Sequence, residues 1–242
     1  MQKISVIILT YNNQNEINGC LNSIFNKTSD VEIIIVDNNS KDDTKHLVKT
    51  FGNKIKLIEL KDNLGFGKAC NLGAKKATGE YLIFLNPDTI ILEKDFFARL
   101  VSYLEQNKDY GLIGPRIVNH NNTIRKSVRN LPTALGAFKE YILSQKGAYD
   151  FYQPVCQSLC EVESLVGACI VIKKSIFEEL GGFDIKYFMY FEDLELCRSI
   201  KKTGLKVGYL PNLEIEHKVG ASGFGSLTSN FARTSAKKYF GS

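Results

Sequence analysis

Glu32-Ile33-Ile34-Ile35-Val36-Asp37-Asn38-Asn39-Ser40 sets a short β-branched run against an abrupt polar close, and this contrast decides the fold. A run of that length and composition predicts a buried strand that stops at Asp37. Toward the N-terminus the same pattern appears in Ile4-Ser5-Val6-Ile7-Ile8-Leu9-Thr10, closed by Tyr11-Asn12. Between the two strands, Ile17, Leu21 and Ile24 recur at helical spacing over Asn15–Phe25. Toward the C-terminus, Asp42 or Asp43 caps a helix running to about Thr50. A third strand follows over Ile55–Leu60, a third helix over Gly67–Ala77, and a fourth strand over Tyr81–Leu85 that stops at Asn86-Pro87-Asp88. Strands alternating with helices of this length imply an α/β fold, a doubly wound, mostly parallel central sheet flanked by helices. In such sheets ligands bind beyond the carboxyl ends of the strands. Three of those ends are polar here, which describes a nucleotide site.

The second half is less regular. Asn119–Pro132 is polar and basic, Leu135–Gln145 reads as helix, and Val162–Ile172 as strand around Gly167. Ser175–Leu180 is a short helix stopped by Gly181-Gly182, and Phe191–Lys202 another stopped by Gly204. Leu205–Leu210 reads as a strand ending before Pro211. No repeat, low-complexity tract or flexible linker divides the chain. Residues 1–240 therefore read as one domain of two fused halves, 1–115 and 116–240. Gly241-Ser242 reads as a cloning remnant.

Composition bounds the partners. The chain has 242 residues, 44% of them hydrophobic, and a formal charge of +5, an excess too small to argue for nucleic acid but suited to phosphorylated ligands or an anionic membrane surface. Cys20, Cys70, Cys156, Cys160, Cys169 and Cys197 sit mostly among apolar residues, where free cysteine packs as a small core residue. No second cysteine pair or histidine cluster completes a zinc site around Cys156 and Cys160. The absence of a visible leader points to the reducing cytosol, and no apolar run is long enough to span a bilayer, so any membrane association is peripheral.

Several polar clusters carry chemistry. Asn86-Pro87-Asp88 reads as a turn, or as a carboxylate placed to hold a hard cation against a diphosphate. Asp37 reads as an Asx-turn or cap, or as an acceptor for the imide N–H of a pyrimidine. Asp62–Asn71 contains Gly65-Phe66-Gly67, but Cys70 replaces the third glycine of a dinucleotide fingerprint and the segment follows the third strand, so a nicotinamide enzyme is disfavoured. Its backbone N–H groups and Lys68 still suit an anion at a helix start. Glu192-Asp193 opens a helix after Tyr187-Phe188-Met189-Tyr190-Phe191. Acids are favoured there by the macrodipole, yet the aromatic surroundings would desolvate one and suit it to general-base work. Glu195 extends this acidic patch into solvent.

Taken in order, Val6–Asn12, Ile35–Ser40, Asn63–Gly67 with Asn71, and Asn86-Pro87-Asp88 resemble glycosyltransferase family 2, with its GT-A fold. Gly167-Ala168-Cys169, Gly181-Gly182-Phe183-Asp184, Phe191–Arg198 and His217 continue the resemblance over nearly the whole chain, nearest to its rhamnosyltransferase-like branch. The resemblance implies a metal-dependent inverting hexosyltransferase using Mg²⁺ or Mn²⁺. A dTDP- or UDP-sugar would be the donor, rhamnose among the candidate sugars, and a saccharide or lipid-linked saccharide of bacterial surface polysaccharide the acceptor. It places Asp88 and His217 at the metal; Asn86 stands where many relatives carry Asp. Thr10, Tyr11, Asn12, Asp37, Asn38, Gly65, Lys68, Asn71 and Asn86 would line the nucleotide. Asp193 would be the base with Glu192 beside it, and Gly167, Ala168 and Arg129 would meet the acceptor. Arg125 and Lys126 read as solvated, or as contacts to acceptor phosphate or headgroups. The competing readings are a non-catalytic nucleotide-sugar or glycan-binding module on the same fold, and a nucleotidyltransferase.

Overall fold

The computed structural model describes residues 3–131, 151–218 and 226–240, so the helix expected over Leu135–Gln145 and the pair Gly241-Ser242 lie outside the described residues. The first half folds as β1 (Ile4–Thr10), α1 (Ile17–Lys27), β2 (Val31–Asp37), α2 (Thr44–Lys49), β3 (Lys56–Glu59), α3 (Phe66–Lys76) and β4 (Tyr81–Leu85). Then come β5 (Thr89–Ile91), α4 (Phe96–Gln106) and β6 (Tyr110–Val118), so the 115/116 division between halves falls inside a strand. The remainder comprises β7 (Val128–Arg129), β8 (Cys160–Val162), β9 (Ser164–Leu165), β10 (Cys169–Lys173), α5 (Lys174–Glu179), α6 (Glu192–Lys202), β11 (Lys206–His217) and α7 (Ser226–Phe240).

The central sheet runs β3-β2-β1-β4-β10-β6-β11-β5, with β8 added on β11. β3, β2, β1 and β4 are parallel, in register from Thr10 against Asp37 to Ile8 against Leu85. Beyond β4 the sheet is mixed: β10 runs antiparallel to both β4 and β6, and β11 returns parallel to β6. The one strand expected over Val162–Ile172 is instead three short ones. Nor does Pro211 end β11; the pairing with β6 shifts register between Leu210 and Glu214, the usual accommodation of a residue that cannot donate to the ladder.

Alternation along the strands sends side chains to two cores. Val6, Ile8, Ile33, Ile35 and Ile83 pack with Ile17, Leu21 and Ile24 of α1 and with Phe97, Leu100 and Val101 of α4. Ile7, Ile34, Val36, Leu82 and Phe84 pack on the opposite face with Ala69 and Cys70 of α3, Phe177 of α5 and Ile200 of α6. Each such side chain contributes about 1.5–3 kcal/mol on burial, and a strand sandwiched this way reads as a continuous apolar run. At the amino ends of the strands Glu32 is buried. Burial alone would raise its pKa, but hydrogen bonds from Lys56, Ser5 and the Thr78 N–H outweigh it and take the carboxyl down to about 2.

Four cysteines are free and buried as expected, whereas Cys156 and Cys160 are joined in a disulfide that the reading of a reducing compartment did not include. Among the described residues no helix is long and apolar enough to cross a membrane.

Candidate active site

The carboxyl ends of β1, β2 and β4 form one rim. At its first position Thr10 Oγ1 donates to Asp37 Oδ1 at 3.3 Å, and the Ser40 N–H donates to Asp37 Oδ2 at 3.0 Å. Both side chains are buried, Thr10 at 0% and Asp37 at 1% exposure, so the rim carries a fixed acceptor. The Asn38 N–H donates to the Thr10 carbonyl, which ties the two strand ends together past the last ladder bond. Asn12 adopts a left-handed conformation, φ 56°, and its side-chain oxygen accepts from the Lys41 N–H, leaving Tyr11 largely exposed at the edge.

The turn before α3 is built by Asn38 and Asn63. Asn38 Oδ1 accepts from the Leu64 N–H at 2.8 Å, and its Nδ2 donates to Asn63 Oδ1 at 2.8 Å. Gly65 stands at φ 81°, and a Cβ there would lie 2.2 Å from the Phe188 carbonyl oxygen, so only glycine fits. That carbonyl also accepts the Phe66 N–H at 2.8 Å, so this turn rests directly on the aromatic segment preceding Glu192. Lys68 is exposed. Asn71 donates to the Phe183 carbonyl and accepts the Phe183 N–H, so both ends of its amide clamp α3 to the Gly181–Phe183 turn.

At the third position Asp88 and His217 meet. His217 Nε2 lies 3.1 Å from Asp88 Oδ1, with side chains 10% and 5% exposed, and Asn86 Nδ2 lies 3.4 Å from the same nitrogen. Their approach follows from topology: His217 is in register with Thr89 across β11 and β5, and the Lys218 N–H donates to the Asp88 carbonyl. His217 Nδ1 is buried without a hydrogen-bond partner. One carboxylate oxygen beside one imidazole nitrogen is a donor pair able to hold a divalent cation whose other positions are filled by water or phosphate oxygens. Among the described residues no group of three or more acidic, cysteine or histidine side chains is placed to hold a metal ion.

The fourth position belongs to α6. Asp193 Oδ2 accepts the Gly167 N–H at 3.2 Å, and its Oδ1 accepts the Leu194 N–H at 2.8 Å. Next along the chain, the Ala168 carbonyl accepts the Asn86 N–H at 2.9 Å. Gly167 and Ala168, adjacent in the chain, therefore link the α6 carboxylate to the β4 end, one through its N–H and the other through its carbonyl. Arg129 lies sandwiched between the rings of Phe151 and Phe191, 5.2 and 5.3 Å from their centroids. Glu195 is not solvated: its side chain is 13% exposed and pairs with Arg198 at 3.5 Å.

The desolvation expected for the acid pair falls on Glu192. It is 6% exposed, and burial followed by the neighbouring Asp193 charge raises its pKa to about 8. An unfolded chain would release this proton near its ordinary value of 4.5, whereas the folded chain keeps it. Stability conferred by the neutral form is thus lost as pH rises through that interval, by an amount on the order of a few kcal/mol. Glu192→Gln is expected to melt higher than the parent at pH 8 and to show a flatter melting curve against pH between about 5 and 8. Parallel melting curves for the two proteins would contradict it.

Some contributors have no role in the sequence reading. Ser40 and Asn63 appear there inside the motifs of the resemblance but without a role of their own, and the Phe188 carbonyl carries no sequence signal at all. Lys126 is exposed, as read; Arg125 is not, for its Nη1 is buried without a partner.

A mixed sheet with helices on both faces and an acidic, histidine-bearing rim at its strand ends is the GT-A architecture. The chain belongs to Glycosyl transferase family 2, whose family model matches residues 5–181. It is similar to the low-salt glycan biosynthesis hexosyltransferase Agl10 of Haloferax volcanii, 25% identical over 90% of this chain and 67% of that protein. It is also similar to the N-acetylglucosaminyl-diphospho-decaprenol L-rhamnosyltransferase of Mycobacterium tuberculosis, 26% identical over 80% of this chain and 68% of the relative. Among solved structures it superposes on GalNAc-T7 with UDP, GalNAc and Mn²⁺ at TM-score 0.67 and 18% identity, covering 89% of this chain and 43% of that one. Staphylococcus aureus TarS 1–349 in complex with UDP superposes at TM-score 0.63 and 20% identity, covering 90% and 61% respectively. The chain thus spans about two thirds of the curated relatives and less of the solved structures, and the structural likeness carries the fold alone.

Proposed function

We propose that this chain is an inverting glycosyltransferase that moves a hexose from a dTDP- or UDP-sugar to a saccharide or lipid-linked saccharide of surface polysaccharide. The observation that carries this reading is the Gly167-Ala168 link, in which the Gly167 N–H fastens Asp193 and the Ala168 carbonyl fastens the Asn86–Asp88 strand end. A base and a diphosphate-binding strand end built on one rigid connection suit a single displacement, in which attack and departure occur on opposite sides of one carbon. An acceptor hydroxyl is a weak nucleophile, and Asp193 would take its proton as the new bond forms. Thr10 and Asp37 would hold the pyrimidine, with Tyr11, Asn12 and Asn38 around the nucleoside and Lys68 near its phosphates. Asp88 and His217, with Asn86 beside them, would hold Mg²⁺ or Mn²⁺. That cation would offset charge on the departing diphosphate as a Lewis acid. Relatives that act as a hexosyltransferase and a rhamnosyltransferase support the reaction class. Gly167 and Arg129 would meet the acceptor, whereas Ala168, fully buried, would act only through its carbonyl bond to Asn86; a peripheral association with a membrane would serve a lipid-linked substrate.

The expected result is metal-dependent release of dTDP or UDP in the presence of acceptor, with a product whose anomeric configuration is opposite to the donor's by NMR. A retained configuration would refute the single displacement. Tight, metal-dependent nucleotide binding with no release across acceptors would favour a binding module.

A further inference from the structure

Arg125 is the described residue whose charge and surroundings are least explained by the fold. The chain turns back after β6: Val118 bridges Ile124, and the Arg125 N–H donates to the Ile117 carbonyl at 2.9 Å. Ile117 and Val118 are in register with Ile215 and Glu216 of β11, and the next residue, His217, faces Thr89 just past Asp88. Arg125 is therefore fixed at the rim that bears the Asp88–His217 pair. Its flanking residues Ile124 and Lys126 are exposed, whereas the guanidinium turns inward. Nη1 has no solvent contact and no hydrogen-bond partner. Burial lowers the pKa of the group, and Asp88 is the charge that opposes this. The other inward arginines are all provided for: Arg116 pairs with Glu214, Arg198 with Glu195, and Arg129 stacks on two rings.

A guanidinium stays protonated in proteins, so burying one of its N–H groups without an acceptor is costly unless a ligand supplies the acceptor. We propose that Arg125 binds the diphosphate of the nucleotide-sugar donor as a cation supplied by the protein itself, beside the metal pair; the proposal rests on the donor reading above. The position explains how a strand end with Asn86 in place of a second acid can serve a leaving group that gains negative charge. The neutral Asn86 leaves Asp88 as the acid of that strand end, and Arg125 adds positive charge that does not depend on captured metal. Guanidinium geometry matches phosphate oxygens in a way that an ammonium does not.

The test compares the parent protein with Arg125→Gln and Arg125→Lys by calorimetric titration of UDP, dTDP, UMP and inorganic pyrophosphate, with Mn²⁺ and with chelator. We expect Arg125→Gln to weaken the diphosphates and pyrophosphate by about tenfold or more in both conditions, with UMP altered much less and Arg125→Lys intermediate. Without ligand, Arg125→Gln should melt no lower than the parent, because it removes a buried guanidinium N–H that has no acceptor; a lower melting temperature with unchanged diphosphate affinity would mark Arg125 as structural and overturn the proposal. If the parent binds pyrophosphate through Arg125 but no pyrimidine diphosphate, the donor assignment fails while the anion site stands. Equal affinities of parent and Arg125→Gln for every diphosphate would remove the site itself.

Discussion

Asp193→Asn is expected to slow sugar transfer by about 10²–10⁴-fold while leaving nucleotide affinity within about twofold of the parent. The substitution is chosen for how Asp193 is held. Its two oxygens accept N–H groups from Gly167 and Leu194, and an asparagine keeps the shape and one of those acceptors. Helix α6 should therefore start where it does now, and the Thr10–Asp37 end of the rim should not register the change. An amide, however, cannot accept a proton from a sugar hydroxyl near neutral pH. Nucleoside diphosphate release with acceptor present gives the rate, and titration gives the affinity. More than about a tenth of parental turnover would remove Asp193 as the base. Residual transfer abolished by adding Glu192→Gln would move the role to that neighbour, whose pKa near 8 already suits proton exchange.

Asp88→Ala is the second large effect. It takes the carboxylate from a pair buried at 5% and 8% exposure and leaves His217 Nε2 without its 3.1 Å partner. We expect the metal-dependent part of UDP or dTDP affinity to fall about 100-fold, close to 3 kcal/mol. In a melting experiment, parent protein with ligand at a hundred times its dissociation constant gains about 2.7 kcal/mol, and chelator should erase most of that gain. Asp88→Ala should resemble the chelated parent whether or not Mn²⁺ is added. If the variant keeps a full Mn²⁺-dependent shift, the cation is held elsewhere.

Much of the first half was legible because its strands announce themselves. β1 and β4 have the bounds read from their apolar runs, and each polar close became a rim position. The second half was harder, for a reason visible at Gly167. Val162–Ile172 is apolar apart from Glu163 and Ser164, yet the chain leaves the strand at Gly167 to hand its N–H to Asp193 and re-enters as β10. No local pattern encodes that detour. Pro211 misled in the opposite direction, since a register shift carries β11 past it. The acids and His217 could be singled out because their order along the chain is distinctive; the contacts that hold them could not. Asn71 read as a nucleotide contact but clamps Phe183 from 112 residues away. Arg125 read as solvated, or as a contact to acceptor phosphate or headgroups, because charged loop residues usually face water. Burial of a side chain by distant residues leaves no trace in the residues beside it.

The antiparallel strand β10, seated between β4 and β6, also sets an order of events during synthesis. β1, β2, β3 and β4 can pair among themselves once residue 85 has emerged, since each finds its neighbour among earlier residues. β4 then waits, with one row of backbone donors and acceptors open, until residues 169–173 arrive to pair with it. Its sequence, Tyr81-Leu82-Ile83-Phe84-Leu85, is uncharged and wholly apolar, the kind of edge that other chains readily join. A ribosome that pauses before β10 thus leaves a half-built sheet with an adhesive border, and the nascent chain is most exposed to misassembly and chaperone capture in that interval.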